Sequence, residues 1–132
     1  MFQIGNERVA LVTDTACDLL NEQLHKYDIR LVSLRVATTQ GEFRDRVEID
    51  STRVYELLKT ELPKTSLPLP EDVSALYRQL RDEGADRILH ICMSGNLSGT
   101  YNMVSILADE AEDLHIDVVD AQTLSCGVGL LV

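Results

Sequence analysis

Val9-Ala10-Leu11-Val12-Thr13 runs directly into Asp14-Thr15-Ala16-Cys17-Asp18, and the reading of this junction decides the fold. A short apolar run that ends in polar residues is the signature of a central strand in a parallel sheet, buried on both faces. Thr15 followed by Asp18 resembles a capping box, and Leu20, Leu24 and Tyr27 continue at helical spacing. Ile29 to Val36 is again apolar and β-branched, a second strand.

The alternation recurs downstream. Pro70 suits a first helical position, Glu71 and Asp72 favour its positive end, and Gly84 stops the helix. Between them Val73, Leu76, Tyr77 and Leu80 fall on one face. Ile88 to Met93 reads as a strand, Ser94 to Thr100 as a Gly/Ser loop, and Tyr101, Val104, Ala108 and Ala111 as a helix. Ile116 to Val119 is a further strand, and Ser125 to Val132 opens one more helix. In the middle, Ala37 to Ile49 is expected as loop with room for one short strand. Asp50 or Ser51 is expected to cap a helix carrying Val54, Leu57 and Leu58. Pro63, Pro68 and Pro70 mark a stretch expected to be irregular. Strands separated by helices give an α/β fold of three layers, a mainly parallel sheet with helices on both faces.

Size and charge narrow the function classes. The 132 residues and 14.7 kDa fit a single domain, residues 1–132, with one real core. Twelve Lys and Arg against 22 Asp and Glu give a formal charge of −10, with no basic stripe. Such a surface argues against nucleic acid and anionic membranes as partners. No apolar run reaches spanning length, and no signal-like start is present. Three cysteines without a close pair suggest free thiols and a cytoplasmic protein. His25, His90 and His115 stand far apart, so neither a metal nor a cofactor is expected.

In an open α/β sheet, ligands sit beyond the carboxyl ends of the strands. That rule singles out Thr13 to Asp18, Ser94 to Thr100 and Asp120 to Gly127. Asp14 at a strand end can be a nucleophile or a metal ligand, but the phosphatase pattern Asp-x-Asp is absent; bracing of the loop by Asp14 and Thr15 is the plainer reading. Ser94-Gly95-Asn96-Leu97-Ser98-Gly99-Thr100 leads from a strand into a helix. It is neither a P-loop nor a nucleophile elbow, and two readings stand open: an anion site, or capping by Ser98 or Thr100. Lys64-Thr65-Ser66-Leu67-Pro68 presents two adjacent hydroxyls in a stiffened loop. Cys92, inside an apolar strand, reads as core, and the acidic run Asp109 to Asp113 as a solvated helix end. Rivals to a binding role are a phosphoryl- or acyl-transfer enzyme using Asp14 or Ser98, and a regulatory interaction module.

Together these motifs resemble the DegV family of bacterial lipid-binding proteins. Val12-Thr13-Asp14-Thr15-Ala16-Cys17-Asp18-Leu19 resembles the family's T-D-S-x-x-D-L, and Lys64 to Pro68 resembles its T-S-Q-P-S. Ser94 to Tyr101 resembles S-S-x-L-S-G-T-Y; Val118-Val119-Asp120-Ala121 and Gly127-Val128-Gly129 resemble V-x-D-S and G-x-G. The resemblance implies a non-enzymatic protein that binds a long-chain fatty acid by its carboxylate and presents it to a partner fatty acid kinase for acyl-phosphate formation. It assigns the carboxylate to Thr65 and Ser98, with Ser66 and Ser94 as second choices. Leu67 and Leu69 depart from the family's Gln and Ser, and Gly95 from a Ser; without Ser at 69 a helix cap worth about 1 kcal/mol is lost. The resemblance also implies a second α/β domain, so an exposed apolar patch is expected where that domain would pack, and with it self-association or altered ligand retention.

Overall fold

The structure, a computed structural model, describes residues 1–132. Eight strands and five α-helices form two sheets. The main sheet is built on β2 (Glu7–Asp14), which pairs in parallel with β3 (Ile29–Val32) on one side and β7 (Arg87–Cys92) on the other. β8 (His115–Asp120) adds in parallel outside β7. β1 (Phe2–Ile4) runs antiparallel to the first half of β2, on the edge whose second half pairs with β3.

Alternation of side chains divides the core between the two faces. Ala10, Val12, Ile88 and Cys92 face α3 (Pro70–Asp82) and α4 (Thr100–Asp109), meeting Val73, Tyr77, Leu80 and Val104. Leu11, Ile91 and Met93 face the opposite way and meet Leu24 of α1 (Asn21–Lys26) and Val128 of α5 (Cys126–Leu131). The α/β architecture with helices on both faces is therefore the one read from the sequence. α5 lies close: a Cβ on Gly129 would stand 2.6 Å from the Cys17 carbonyl oxygen. On its outer side Leu130 is 89% exposed and Leu131 56%.

Four local expectations are corrected. The stretch Ile29 to Val36 is two strands in different sheets: it breaks at Ser33-Leu34, where Leu34 N–H donates to Thr15 Oγ1 (3.2 Å) and Leu34 C=O accepts from Asp45 N (2.9 Å). An unbroken apolar pattern conceals such a bend. Residues 37–49 hold more than the one short strand expected: β4 (Arg35–Thr38) ends there and forms a hairpin with β5 (Gly41–Arg44), polar because one face is solvated, with Gly41 at φ 137. Lys64–Ser66 between the prolines is β6, an edge strand antiparallel to β4, a position where flanking Pro is tolerated. Finally, Thr15 and Asp18 form no capping box. Asp14 caps a 3₁₀ turn, Thr15–Cys17, that ends with Asp18 at φ 54. α1 starts only at Asn21, with Gln23 Oε1 accepting from Leu20 N (2.8 Å), and of its expected face only Leu24 is buried.

α2 (Ser51–Leu57) is capped by Asp50, which accepts from Arg53 N at 2.8 Å, and packs Val54 and Leu57 on Val36 and Ile49 under the small sheet. α3 begins with Pro70 at its first turn and, as Leu69 implies, has no side-chain cap. Gly84 follows it at φ 90.

Candidate functional site

The order β3-β2-β7-β8 turns around between β2 and β7, so the crevice beyond their carboxyl ends is the place for a ligand. Carboxylates brace its floor. Asp14 is buried; Oδ1 accepts from Ala16 N (2.9 Å) and Oδ2 from Met93 N (3.0 Å), tying the end of β2 to the end of β7. Burial raises its pKa, and the two N–H donors act against that. With both oxygens committed and no exposure, Asp14 is placed as a brace and not as an attacking group. Asp14→Asn keeps one acceptor and points an N–H₂ at a donor. It is expected to cost about 1–3 kcal/mol in urea unfolding; an unchanged midpoint would contradict the bracing role.

Asp120 plays the same part for the next loop, its Oδ1 accepting from Gly95 N (3.2 Å) and Gln122 N (2.8 Å). The Ser94 carbonyl accepts from Leu97 N and Ser98 N, at 2.9 and 3.1 Å, folding the loop into a tight turn. Burial raises the Cys17 thiol and pushes Cys92 up to about 12, so neither is a thiolate at neutral pH. Cys92 is the core residue expected of it.

This framework opens onto a cleft of about 370 Å³ lined by Leu34, Thr65, Ser66, Leu67, Met93, Leu97, Ser98 and Gly99. Three of the four hydroxyl residues singled out in the sequence thus meet on one surface, although Thr65 comes from the small sheet and Ser98 from the loop after β7, 33 residues apart in sequence. Their hydroxyls differ in freedom. Ser66 Oγ donates to Glu42 Oε1 (2.9 Å) and is occupied. Thr65, on exposed β6, has no partner for its hydroxyl in the chain. Ser98 Oγ lies 2.8 Å from Thr100 Oγ1 and accepts from Thr100 N at 3.2 Å. The N-cap of α4 is Gly99, without a side-chain cap, so neither Ser98 nor Thr100 is the cap expected; Ser98, one residue earlier, satisfies the first helical N–H and borders the cleft. Ser94 is not on the cleft: it is 4% exposed and accepts from Asn96 N (3.3 Å) within its own loop.

No charged side chain lines the cleft. Its walls are hydroxyls, the start of α4 and four apolar side chains, which suits a single anionic head attached to an apolar body. Leu34 and Met93 were not singled out in the sequence; they read only as strand residues, and the bend that turns Leu34 inward has no pattern of its own. Leu67 lies over Gly99, 3.5 Å from where a Cβ would be, so Gly99 leaves room for it. A polar depression of about 600 Å³ lies beside the 3₁₀ turn, between Asp18 and Arg46, and a groove of about 360 Å³ runs between α3 and α4. No three His, Cys, Asp or Glu side chains cluster to hold a metal ion.

Comparison with known proteins gives this geometry its context. A DegV domain-containing protein of Clostridium acetobutylicum is 35% identical over 126 residues, covering 96% of this chain and 45% of the relative. A Thermus thermophilus structure described as showing fatty acid binding of a DegV family protein superimposes with a TM-score of 0.84 at 36% identity. It covers 94% of this chain and 44% of that one. The Bacillus subtilis protein described as DegV, a fatty acid binding protein, reaches a TM-score of 0.89 at 25% identity, again over 94% and 44%. The chain therefore spans about half the length of the relatives it matches. The sequence model described as "Uncharacterised protein, DegV family" matches residues 8–132, and the chain belongs to the DegV family.

Proposed function

We propose that this chain is the head-group-binding unit of a fatty-acid carrier. The carboxylate of a long-chain fatty acid is held in the cleft by the Thr65 and Ser98 hydroxyls, and the acyl chain leaves over Leu34, Leu67, Met93 and Leu97. The observation that carries the reading is the convergence of Thr65 and Ser98 on one uncharged cleft with apolar walls. Two hydroxyl donors beside a helix start suffice for one carboxylate, because the tail contributes about 0.8 kcal/mol for each buried CH₂. Structural neighbours described as fatty acid binding, including a stearic acid-binding protein of Eubacterium ventriosum at TM-score 0.84 and 29% identity over 94% of this chain and 45% of that one, support the same reading.

In this account residues 1–132 correspond to the N-terminal domain of a two-domain carrier, without chemistry of its own. The bound acid is presented to a partner kinase that forms the acyl-phosphate. Three unpaired cysteines fit a reducing, cytoplasmic setting, and no helix is long and apolar enough to cross a membrane. Native mass spectrometry of gently purified protein, alone and with added oleate, tests the binding claim. A one-to-one adduct of fatty-acid mass is expected. No adduct under either condition, or turnover of activated esters or acyl-phosphates by the protein alone, would contradict it.

A further inference from the structure

The Thr100 hydroxyl is fully buried at the first turn of α4, and its partner within the chain is Ser98 Oγ at 2.8 Å. A buried hydroxyl proton without an acceptor is costly, and Ser98 Oγ is the acceptor in reach. Ser98 Oγ already accepts from Thr100 N at 3.2 Å. Once the Thr100 hydroxyl also donates to it, both lone pairs of Ser98 are engaged. The Ser98 proton then has to point away from Thr100, and Ser98 borders the cleft.

Resting on the fatty-acid reading above, we infer that Thr100 is a positioning residue for the ligand carboxylate: its buried hydroxyl fixes Ser98 as an outward-facing donor. Thr100 touches no ligand. It makes the Ser98 side of the cleft a donor before anything binds, and two donors to one oxygen polarise that oxygen's own O–H bond. The arrangement favours an anionic acceptor over a neutral one and disfavours a head group that can only donate.

The test compares oleate with oleyl alcohol, chains of equal length with and without the charge, in the unaltered protein, Thr100→Val, Thr100→Ser, Ser98→Ala and the Ser98→Ala/Thr100→Val double variant. Thr100→Val should weaken oleate about fivefold while oleyl alcohol changes less than about twofold, and Thr100→Ser should restore the oleate affinity. In the Ser98→Ala background Thr100→Val should have no further effect, since Thr100 acts through Ser98. Equal losses for acid and alcohol, a Thr100→Val effect that persists without Ser98, or no loss at all would overturn the inference. A readout free of ligand and of any variant comes from proton NMR, where the Thr100 hydroxyl should exchange slowly with water; fast exchange would contradict its buried donor role. Failure of the unaltered protein to bind oleate would instead overturn the fatty-acid reading, and this inference with it.

Discussion

Ser98→Ala and Thr65→Val are each expected to weaken fatty-acid binding about tenfold or more, because a hydroxyl bond to a charged group contributes roughly 1.5–3 kcal/mol. Thr65→Val should cost little stability, since Thr65 lies on an exposed edge strand. Ser98→Ala takes the acceptor from the buried Thr100 hydroxyl and from Thr100 N, and should cost about 1–3 kcal/mol, read separately by urea unfolding. The two losses should not add, since both hydroxyls serve one carboxylate and removing either lets it shift. Ser66→Ala is the internal control: its hydroxyl is already given to Glu42, so its loss should change affinity less than either. Isothermal titration with oleate reads the four variants, the Thr65→Val/Ser98→Ala double variant included, against the unaltered protein. Strictly additive losses, or a Ser66→Ala effect as large as the others, would redraw the site.

A second large effect is expected in acid. His90 is wholly buried on β7, with Nδ1 2.6 Å from the Tyr77 hydroxyl and Nε2 without a partner. Burial holds its pKa down at about 3, against 6.5 when free, and burial also raises that of Tyr77, so a neutral ring accepts from a neutral phenol. The unfolded chain therefore takes up a proton below pH 6.5 that the folded one refuses until about pH 3. The stability is complete above pH 6.5 and is lost as pH falls toward 3, at up to roughly 1.4 kcal/mol per unit, or about 2–3 kcal/mol by pH 4.5. Urea unfolding at pH 7 and pH 4.5 should show a smaller drop for His90→Phe/Tyr77→Phe, which removes the base together with its phenol. Glu83 and Asp117, held low by Arg30 and Arg87, lose stability in acid too, but equally in both proteins. Parallel losses would contradict the assignment to His90.

How much of this was legible in the sequence depended on burial. β2, β7 and α3 are buried deeply enough that their apolar patterns have one reading: Val12 and Ile88, Val73 and Leu80 are fully covered. The small sheet was hidden because β5 and β6 are largely polar and partly solvated, and because Leu34 bends the chain inside an apolar run. The site divides along the same line. Ser98 follows from a strand leading into a glycine-marked loop, a rule of topology. Thr65 lies on a three-residue strand that no periodicity announces; the residues themselves offered only two adjacent hydroxyls in a stiffened loop, and the family resemblance gave Thr65 the carboxylate. Leu67 and Leu97, both facing the cleft, carry an apolar character that the motif's hydroxyls do not foretell.

The central claim is that one carboxylate sits between Thr65 and Ser98. Oleate labelled with ¹³C at its carboxyl carbon reports on that position directly when its NMR signal is followed through a pH titration of the bound acid. The account predicts a single shifted carboxyl resonance that titrates below the free acid, with cross-relaxation to the Thr65 and Ser98 side chains, and a return toward the free titration in Ser98→Ala. A carboxyl signal that titrates identically in the unaltered protein and in the Thr65→Val/Ser98→Ala variant, or that relaxes against the groove between α3 and α4 instead, would contradict it.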